Sequence, residues 1–310
     1  MSKTLAVLGA TGRQGGSVIK NVLSDPELSQ RYKLRAITRD ASSDKVKGLK
    51  QQVEVVEGDI ANHASISTAL TGADFVFIVT TPAFGPDAVK VEVDIIKTVA
   101  DAAVEQGLEY IIFSTLPSYS DLSGGKYTAV TAFDAKAEGE KYIKTLPIKS
   151  AFWCGGYFME NFETQPFLGP QPNGDGTYSL IRNVRPSCRL PYIDAGGDTG
   201  KFVNAILAEP DKYEGQTLYA AVAFYSVVEI AEILSKATGK TIVYKQLSYE
   251  DFAKSLPFFG ELFADGGAFQ DEYGYFGPGS EEKVAQSKKN ISAKLTTLEE
   301  YFQQHPYTIA

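Results

Sequence analysis

Three glycines, Gly9, Gly12 and Gly15, stand three residues apart directly after the apolar run Leu5-Ala6-Val7-Leu8. At that spacing Gly9 lets the chain turn tightly out of a strand. Gly12, with no Cβ, lets an anion approach the main chain, and Gly15 lets the next helix pack close to the sheet. A helix opening near Gln14 aims its free N–H groups at the same anion. A strand before and a helix after are the context in which this pattern predicts a dinucleotide pyrophosphate site. The next strand ends at Arg39-Asp40. An acidic residue at that place serves a ribose 2′-hydroxyl, whereas a guanidinium suits a 2′-phosphate. Arg39 therefore predicts NADP(H) in preference to NAD(H), with Lys45 and Lys47 adding positive field and Asp40 as a competing ribose ligand.

The elements that must position these residues follow from hydrophobic periodicity. Short apolar runs predict strands over 5–8, 34–38, 53–57, 75–79, 110–114 and 148–152. Helical patterns between them cover 14–23, 63–70, 89–106 and 131–144. In the third of these helices the apolar stripe is read as Val91, Ile95, Val99, Ala102 and Ala103. Buried strands alternating with amphipathic helices predict an α/β fold, a doubly wound parallel (Rossmann) sheet that binds ligands outside its strand C-termini. Residues 1–155 form the expected nucleotide-binding domain and 156–310 a smaller α+β lobe. Helices are expected there at 194–208, 226–238, 249–255 and 297–304 and a strand at 241–244, with some elements returning to the main sheet. Residues 256–279 interleave aromatics with glycines, which suits either a mobile lid or partner surface, or local core packing.

Bulk properties bound the function. The chain has 310 residues, 44% hydrophobic and 22% charged, with no apolar run near membrane length. Its net charge of −8 disfavours direct nucleic-acid binding. Two cysteines, Cys154 and Cys188, and two histidines, His63 and His305, lack metal-ligand spacing, so neither a metal nor a disulfide is expected. The first strand begins too early for a leader, and a cytoplasmic, possibly nuclear, location is expected. The sequon at Asn290 is then a chance match. Arg182, Arg185 and Arg189 cluster around Pro186 and could receive an anionic substrate or an acidic partner segment, or form a solvated face.

Taken together, Gly9-Ala10-Thr11-Gly12-Arg13-Gln14-Gly15, Thr38-Arg39, Glu57-Gly58-Asp59, Phe77-Ile78-Val79-Thr80-Thr81 and Phe133-Asp134-Ala135-Lys136 resemble the NmrA-like family, an atypical branch of the short-chain dehydrogenases. Tyr157-Phe158-Met159-Glu160-Asn161 and Tyr273-Gly274-Tyr275-Phe276-Gly277 extend the likeness over nearly the whole chain. The resemblance implies an NADP(H)-binding fold whose members include redox-sensing regulators and reductases. It implies that Thr11, Gly12, Arg13 and Gln14 line the pyrophosphate and that Arg39 meets the 2′-phosphate. Asp59 and Ile60 then flank the adenine, and Thr80 and Thr81 the central cofactor. Lys136 reaches the nicotinamide ribose, with Cys154, Gly155 and Tyr157 beside the nicotinamide.

Dehydrogenases of this superfamily usually carry Tyr-x-x-x-Lys on the helix here assigned to 131–144, where the ammonium lowers the phenol pKa. In this chain Ala132 stands four residues before Lys136. The usual acid is missing, which favours a cofactor-sensing regulator with a protein partner. The alternative is a reductase of a small carbonyl, imine, enone or quinone. Its proton would come from Lys136, as in isoflavone-reductase-like relatives, or from Ser114, Tyr119 or Tyr127. An activated acceptor such as a quinone needs little acid help.

Overall fold

The structure, a computed structural model, describes residues 2–309, with Lys45 described by its backbone alone. Its centre is a sheet of seven parallel strands. Six come from the first half: β1 (Lys3–Leu8), β2 (Tyr32–Thr38), β3 (Glu54–Glu57), β4 (Phe75–Ile78), β5 (Tyr110–Thr115) and β6 (Lys149–Gly155). The seventh, Thr217–Ala220, joins from far downstream and pairs with β6. The order across the sheet is β3, β2, β1, β4, β5, β6 and then Thr217–Ala220. The reversal of winding direction falls between β1 and β4, beside the glycine loop. Strands alternate their side chains between two cores. Leu5, Val7, Phe75, Phe77 and Trp153 face the helices Arg13–Ser24 and Ala195–Ala208. Ala6, Leu8, Val76, Ile78 and Phe152 face the helices His63–Leu70, Ala88–Glu105 and Thr131–Ile143.

The helix Ala88–Glu105 buries Ala88, Glu92, Ile96, Val99, Ala100 and Ala103. The stripe read from the sequence is therefore displaced by one position in its first turns: Val91 is exposed and Ile95 only half-buried. The rotation carries a glutamate, Glu92, into the interior at the helical spacing of Ala88 and Ile96. The helix Thr131–Ile143 lies close against this one because Gly139 has no side chain. A Cβ there would stand 2.5 Å from Ile96 Cδ1.

The helix Ala195–Ala208 lies equally close on the glycine-loop helix. Gly200 N donates to Ser17 Oγ at 3.0 Å, and a Cβ on Gly200 would meet the Ser17 carbonyl at 2.3 Å. Two three-stranded sheets complete the second half. One joins Tyr157–Phe158, Arg189–Ile193 and Ala223–Ser226; the other joins Gln171–Pro172, Tyr178–Arg182 and Ile242–Gln246. Residues 256–279 lie partly in the core. They form the helix Gly260–Tyr273 and bury Phe269, Tyr275 and Phe276, while Phe258 and Phe259 stay exposed at the tip.

Candidate functional site

Gly9 adopts φ +62°, the left-handed region that favours glycine, and turns the chain out of β1. Its carbonyl accepts from Gly12 N at 2.8 Å. Gly12 caps the helix Arg13–Ser24 with no side-chain hydrogen bond, so no side chain of the loop covers the amides of the first turn. A Cβ on Gly15 would fall 2.4 Å from the Gly9 carbonyl oxygen and 2.7 Å from that of Leu8. Gly15 thus sets the contact between strand and helix. Gly12 has only the Gly9 carbonyl near its missing Cβ, at 3.2 Å, and is otherwise open. Thr11 and Arg13 are exposed, and Gln14 turns into a cavity with its Oε1 buried and without a hydrogen-bond partner.

Around this loop stand the other residues picked from the sequence. Arg39 is exposed at the end of β2 and has no carboxylate partner among the described residues. Asp40 is occupied locally. Its Oδ1 accepts from Ser42 N at 2.7 Å and Ser42 Oγ at 2.6 Å, and these bonds hold its carboxyl below the usual range. Lys47 pairs with Asp44 at 2.5 Å. The side chain of Lys45 lies outside the described residues. Asp59 caps its own turn through Ala61 N at 3.0 Å, with half-buried Ile60 beside it, and Thr81 is exposed. An anion cradle without a covering side chain, an accepting oxygen at Gln14 and an unpaired guanidinium at Arg39 fit a phosphorylated dinucleotide.

Lys136 is buried, and it is not alone. Its Nζ donates to Thr80 Oγ1 at 2.8 Å and forms an ion pair with Glu92, while Thr80 Oγ1 donates to Glu92 Oε1 at 2.6 Å. Burial pushes the lysine pKa down and the Glu92 charge pushes it back up, with burial the larger effect. Glu92 is 1% exposed and its Oε2 has no partner. The sequence reading missed Glu92; the signal was a carboxylate four residues from both Ala88 and Ile96 on an apolar face.

Gln14, Thr80, Ser114, Lys136, Gly155 and Tyr157 line one cavity of about 290 Å³, walled by Phe133, Trp153, Phe158, Phe263 and Tyr275. Gly155 has no room for a side chain because the Trp153 ring lies 2.3 Å from its missing Cβ. Across the outer surface Phe84 stacks on Phe259 at 5.0 Å, joining the loop after β4 to the segment before the helix Gly260–Tyr273. Tyr157 donates to Gln270 Oε1 at 2.8 Å, and Gln270 Nε2 donates to Tyr119 Oη at 3.1 Å.

Four residues stand elsewhere. Cys154, next to Gly155 on β6, packs with Ala221, Tyr275, Phe276 and Val284, and burial raises its thiol pKa well above normal. Tyr119 is fully buried, stacks on Phe269 at 3.7 Å and donates to the Tyr275 carbonyl. Tyr127 donates to Glu272 at 2.8 Å. Ala132 is half-buried on the Lys136 helix and is not part of the cavity wall. Ser114 alone of the three alternative hydroxyl donors lines the cavity.

The NmrA-like family model matches residues 1–302. An NmrA-like family domain-containing protein of Dictyostelium discoideum is 30% identical over 317 residues, covering all of both chains. An NmrA-like family domain-containing oxidoreductase, cpsB of Aspergillus campestris, is 32% identical over 300 residues, covering 87% of this chain and 86% of its own. The crystal structure of NmrA, a negative transcriptional regulator, in complex with NADP superposes with a TM-score of 0.79. It is 25% identical and covers 98% of this chain and 95% of that one.

Proposed function

The chain belongs to the NmrA-like family, and we propose that it binds NADP(H) and reduces a small, activated acceptor such as a quinone, enone or imine. The observation that carries this is the aromatic-walled cavity of about 290 Å³ between the glycine loop and Tyr157. In this reading Gly9, Thr11, Gly12, Arg13, Gln14 and Gly15 cradle the pyrophosphate, and Arg39 takes the 2′-phosphate. Asp59 and Ile60 border the adenine. Thr80, Thr81 and Lys136 hold the ribose, and Gly155 and Tyr157 border the nicotinamide. When bound, the reduced nicotinamide supplies a hydride.

The residues around the cavity decide the acceptor type. The Lys136 ammonium is held by Thr80 and Glu92, so its role is to bind and orient. The phenols of Tyr119 and Tyr127 are engaged outside the cavity. The remaining hydroxyls on its wall are those of Ser114, of Tyr157, which donates to Gln270, and of Tyr275, Thr80 and Thr115. No group there matches a phenol made acidic by an adjacent ammonium, so the acceptor must take a hydride with little acid help. The oxidoreductase name of the 32% identical relative supports the redox reading.

The test is NADPH oxidation by the full chain against quinones, enones, imines and simple ketones. Sustained turnover is expected with the activated acceptors and none with simple ketones. Tight NADPH binding with no turnover of any acceptor would instead return the regulatory reading, which the match to the NADP-bound regulator favours.

A further inference from the structure

The three arginines that crowd together in the sequence are separated by the fold. Arg185 Nε pairs with Asp271 at 3.0 Å, and Arg189 Nε lies 3.6 Å from Glu281. Arg182 turns inward. Its Nη1 donates to the Ile181 carbonyl at 2.6 Å and its Nη2 to the Leu168 carbonyl at 2.8 Å. A guanidinium has five N–H donors, and Arg182 has no carboxylate partner among the described residues. It lines a second, inner chamber of about 50 Å³.

Asn183 stands beside it on the same wall. Its Nδ2 donates to the Ala264 carbonyl at 2.8 Å, and its Oδ1 is buried with no partner. Packed against Gly267, that oxygen is shut off from a ligand, so what the inner chamber offers is the Arg182 cation without a counter-ion among the described residues.

The inner chamber and the larger cavity adjoin, and Tyr157, Asn161, Gln165, Phe263 and Gln270 line both. A single water needs about 10–15 Å³ measured this way, so the inner chamber admits a polar head group and not a ring. Space for a ring lies next door, between Phe133, Phe158 and Tyr275.

We propose that the activated acceptor carries a carboxylate, held in the inner chamber by Arg182, while its planar reducible part, a quinone, enone or imine, lies in the larger cavity. This rests on the larger cavity being the acceptor site. A carboxylate supplies the missing counter-ion through charge-assisted hydrogen bonds, and the geometry of a guanidinium suits it.

The experiment uses 2-naphthoate and its neutral counterpart 2-naphthamide as probes, titrated by calorimetry into the full chain saturated with NADP+. Naphthoate is expected to bind at least ~10-fold tighter. Arg182→Met is expected to bring the two within about 3-fold of each other, with Arg182→Lys retaining part of the preference and both variants keeping wild-type NADP+ affinity. Repeating the pair without nucleotide separates the two ideas. A carboxylate preference there stands even if NADP+ fails to bind, which would fault only the cofactor reading. Equal affinities in the wild-type chain, or no naphthoate binding in either titration, would overturn the proposal.

Discussion

Glu92 and Lys136 meet inside the protein as an ion pair, 44 residues apart in sequence and one on each of two helices that Gly139 allows to touch. Neither partner reaches solvent to any extent: Lys136 is 6% and Glu92 1% exposed. Thr80 Oγ1 bonds to both, so the end of β4 is tied to the pair.

Breaking the pair from one side should be costly. Glu92→Leu leaves a buried ammonium with only Thr80 to meet it, and a loss of about 3–5 kcal/mol is expected. Adding Lys136→Met should restore most of that loss, because two apolar side chains replace two charges that had to be desolvated. Urea denaturation of wild type, single and double variants measures this. A double variant as unstable as the single one would show that the cost lies in packing and not in charge.

The two inner glycines of the loop should fail differently. Gly15→Ala forces a methyl against two backbone carbonyls at 2.4 and 2.7 Å, so a stability loss of about 1–3 kcal/mol is expected. Gly12→Val, placed in the open cradle, should change stability by less than about 1 kcal/mol and abolish nucleotide binding. Thermal melts and nucleotide titrations together separate them. Normal nucleotide binding by a folded Gly12→Val would move the cofactor away from this loop.

Arg39 should set the choice of nucleotide. With Asp40 engaged by Ser42, Arg39 is the charged group left at the end of β2, and NADP(H) should bind at least ~10-fold tighter than NAD(H), about 1.4 kcal/mol. Arg39→Ala should remove most of that difference and leave NAD(H) affinity nearly unchanged. Wild-type calorimetry giving equal affinities would contradict the assignment.

Glu160 gives a pH signature. Its carboxylate caps the helix Ala195–Ala208, accepting from Gly196 N at 2.7 Å and Ala195 N at 3.2 Å, with Arg13 Nε at 3.9 Å. Burial nevertheless raises its pKa above the ordinary 4.5. Between that value and the raised one, the folded chain holds a proton that the unfolded chain has lost. Glu160 therefore makes stability fall as pH rises through this window, and Glu160→Gln removes that dependence. The stability of wild type minus that of Glu160→Gln should drop as pH is raised from 4 to 7. A difference that rises over the range would mean the backbone donors outweigh burial.

The parallel sheet was legible because its central strands are buried on both faces. Leu5–Leu8 and Phe75–Ile78 are apolar at every position and bounded by turn residues. The seventh strand was not, since pairing Thr217–Ala220 with β6 is a non-local event that no local pattern announces. Glu92 was hidden by a one-position error in the helix face, which exchanged Val91 for its neighbour and so left the carboxylate outside. No helix was expected within residues 256–279, read as a lid or partner surface or as local core packing, because their glycines weaken any helical period. Yet Gly267 sits where a Cβ would strike Asn183 Oδ1 at 2.2 Å, so that glycine serves packing. The separation of Arg182 from Arg185 and Arg189 depended on Asp271 and Glu281, which lie more than 80 residues onward.

The fit of Gly200 against Ser17, and of Thr217–Ala220 against β6, bears on how the chain is made. A ribosome that has finished β6 must still synthesise roughly sixty residues before the sheet gains its last strand, a lag of roughly 3–12 s at bacterial and eukaryotic elongation rates of about 5–20 residues per second. Through that interval β6 is an open edge and one face of the glycine-loop helix is bare. The emerging chain thus offers chaperones an exposed strand and an apolar helix face, and the nucleotide half reaches its final form only after part of its successor has left the exit tunnel.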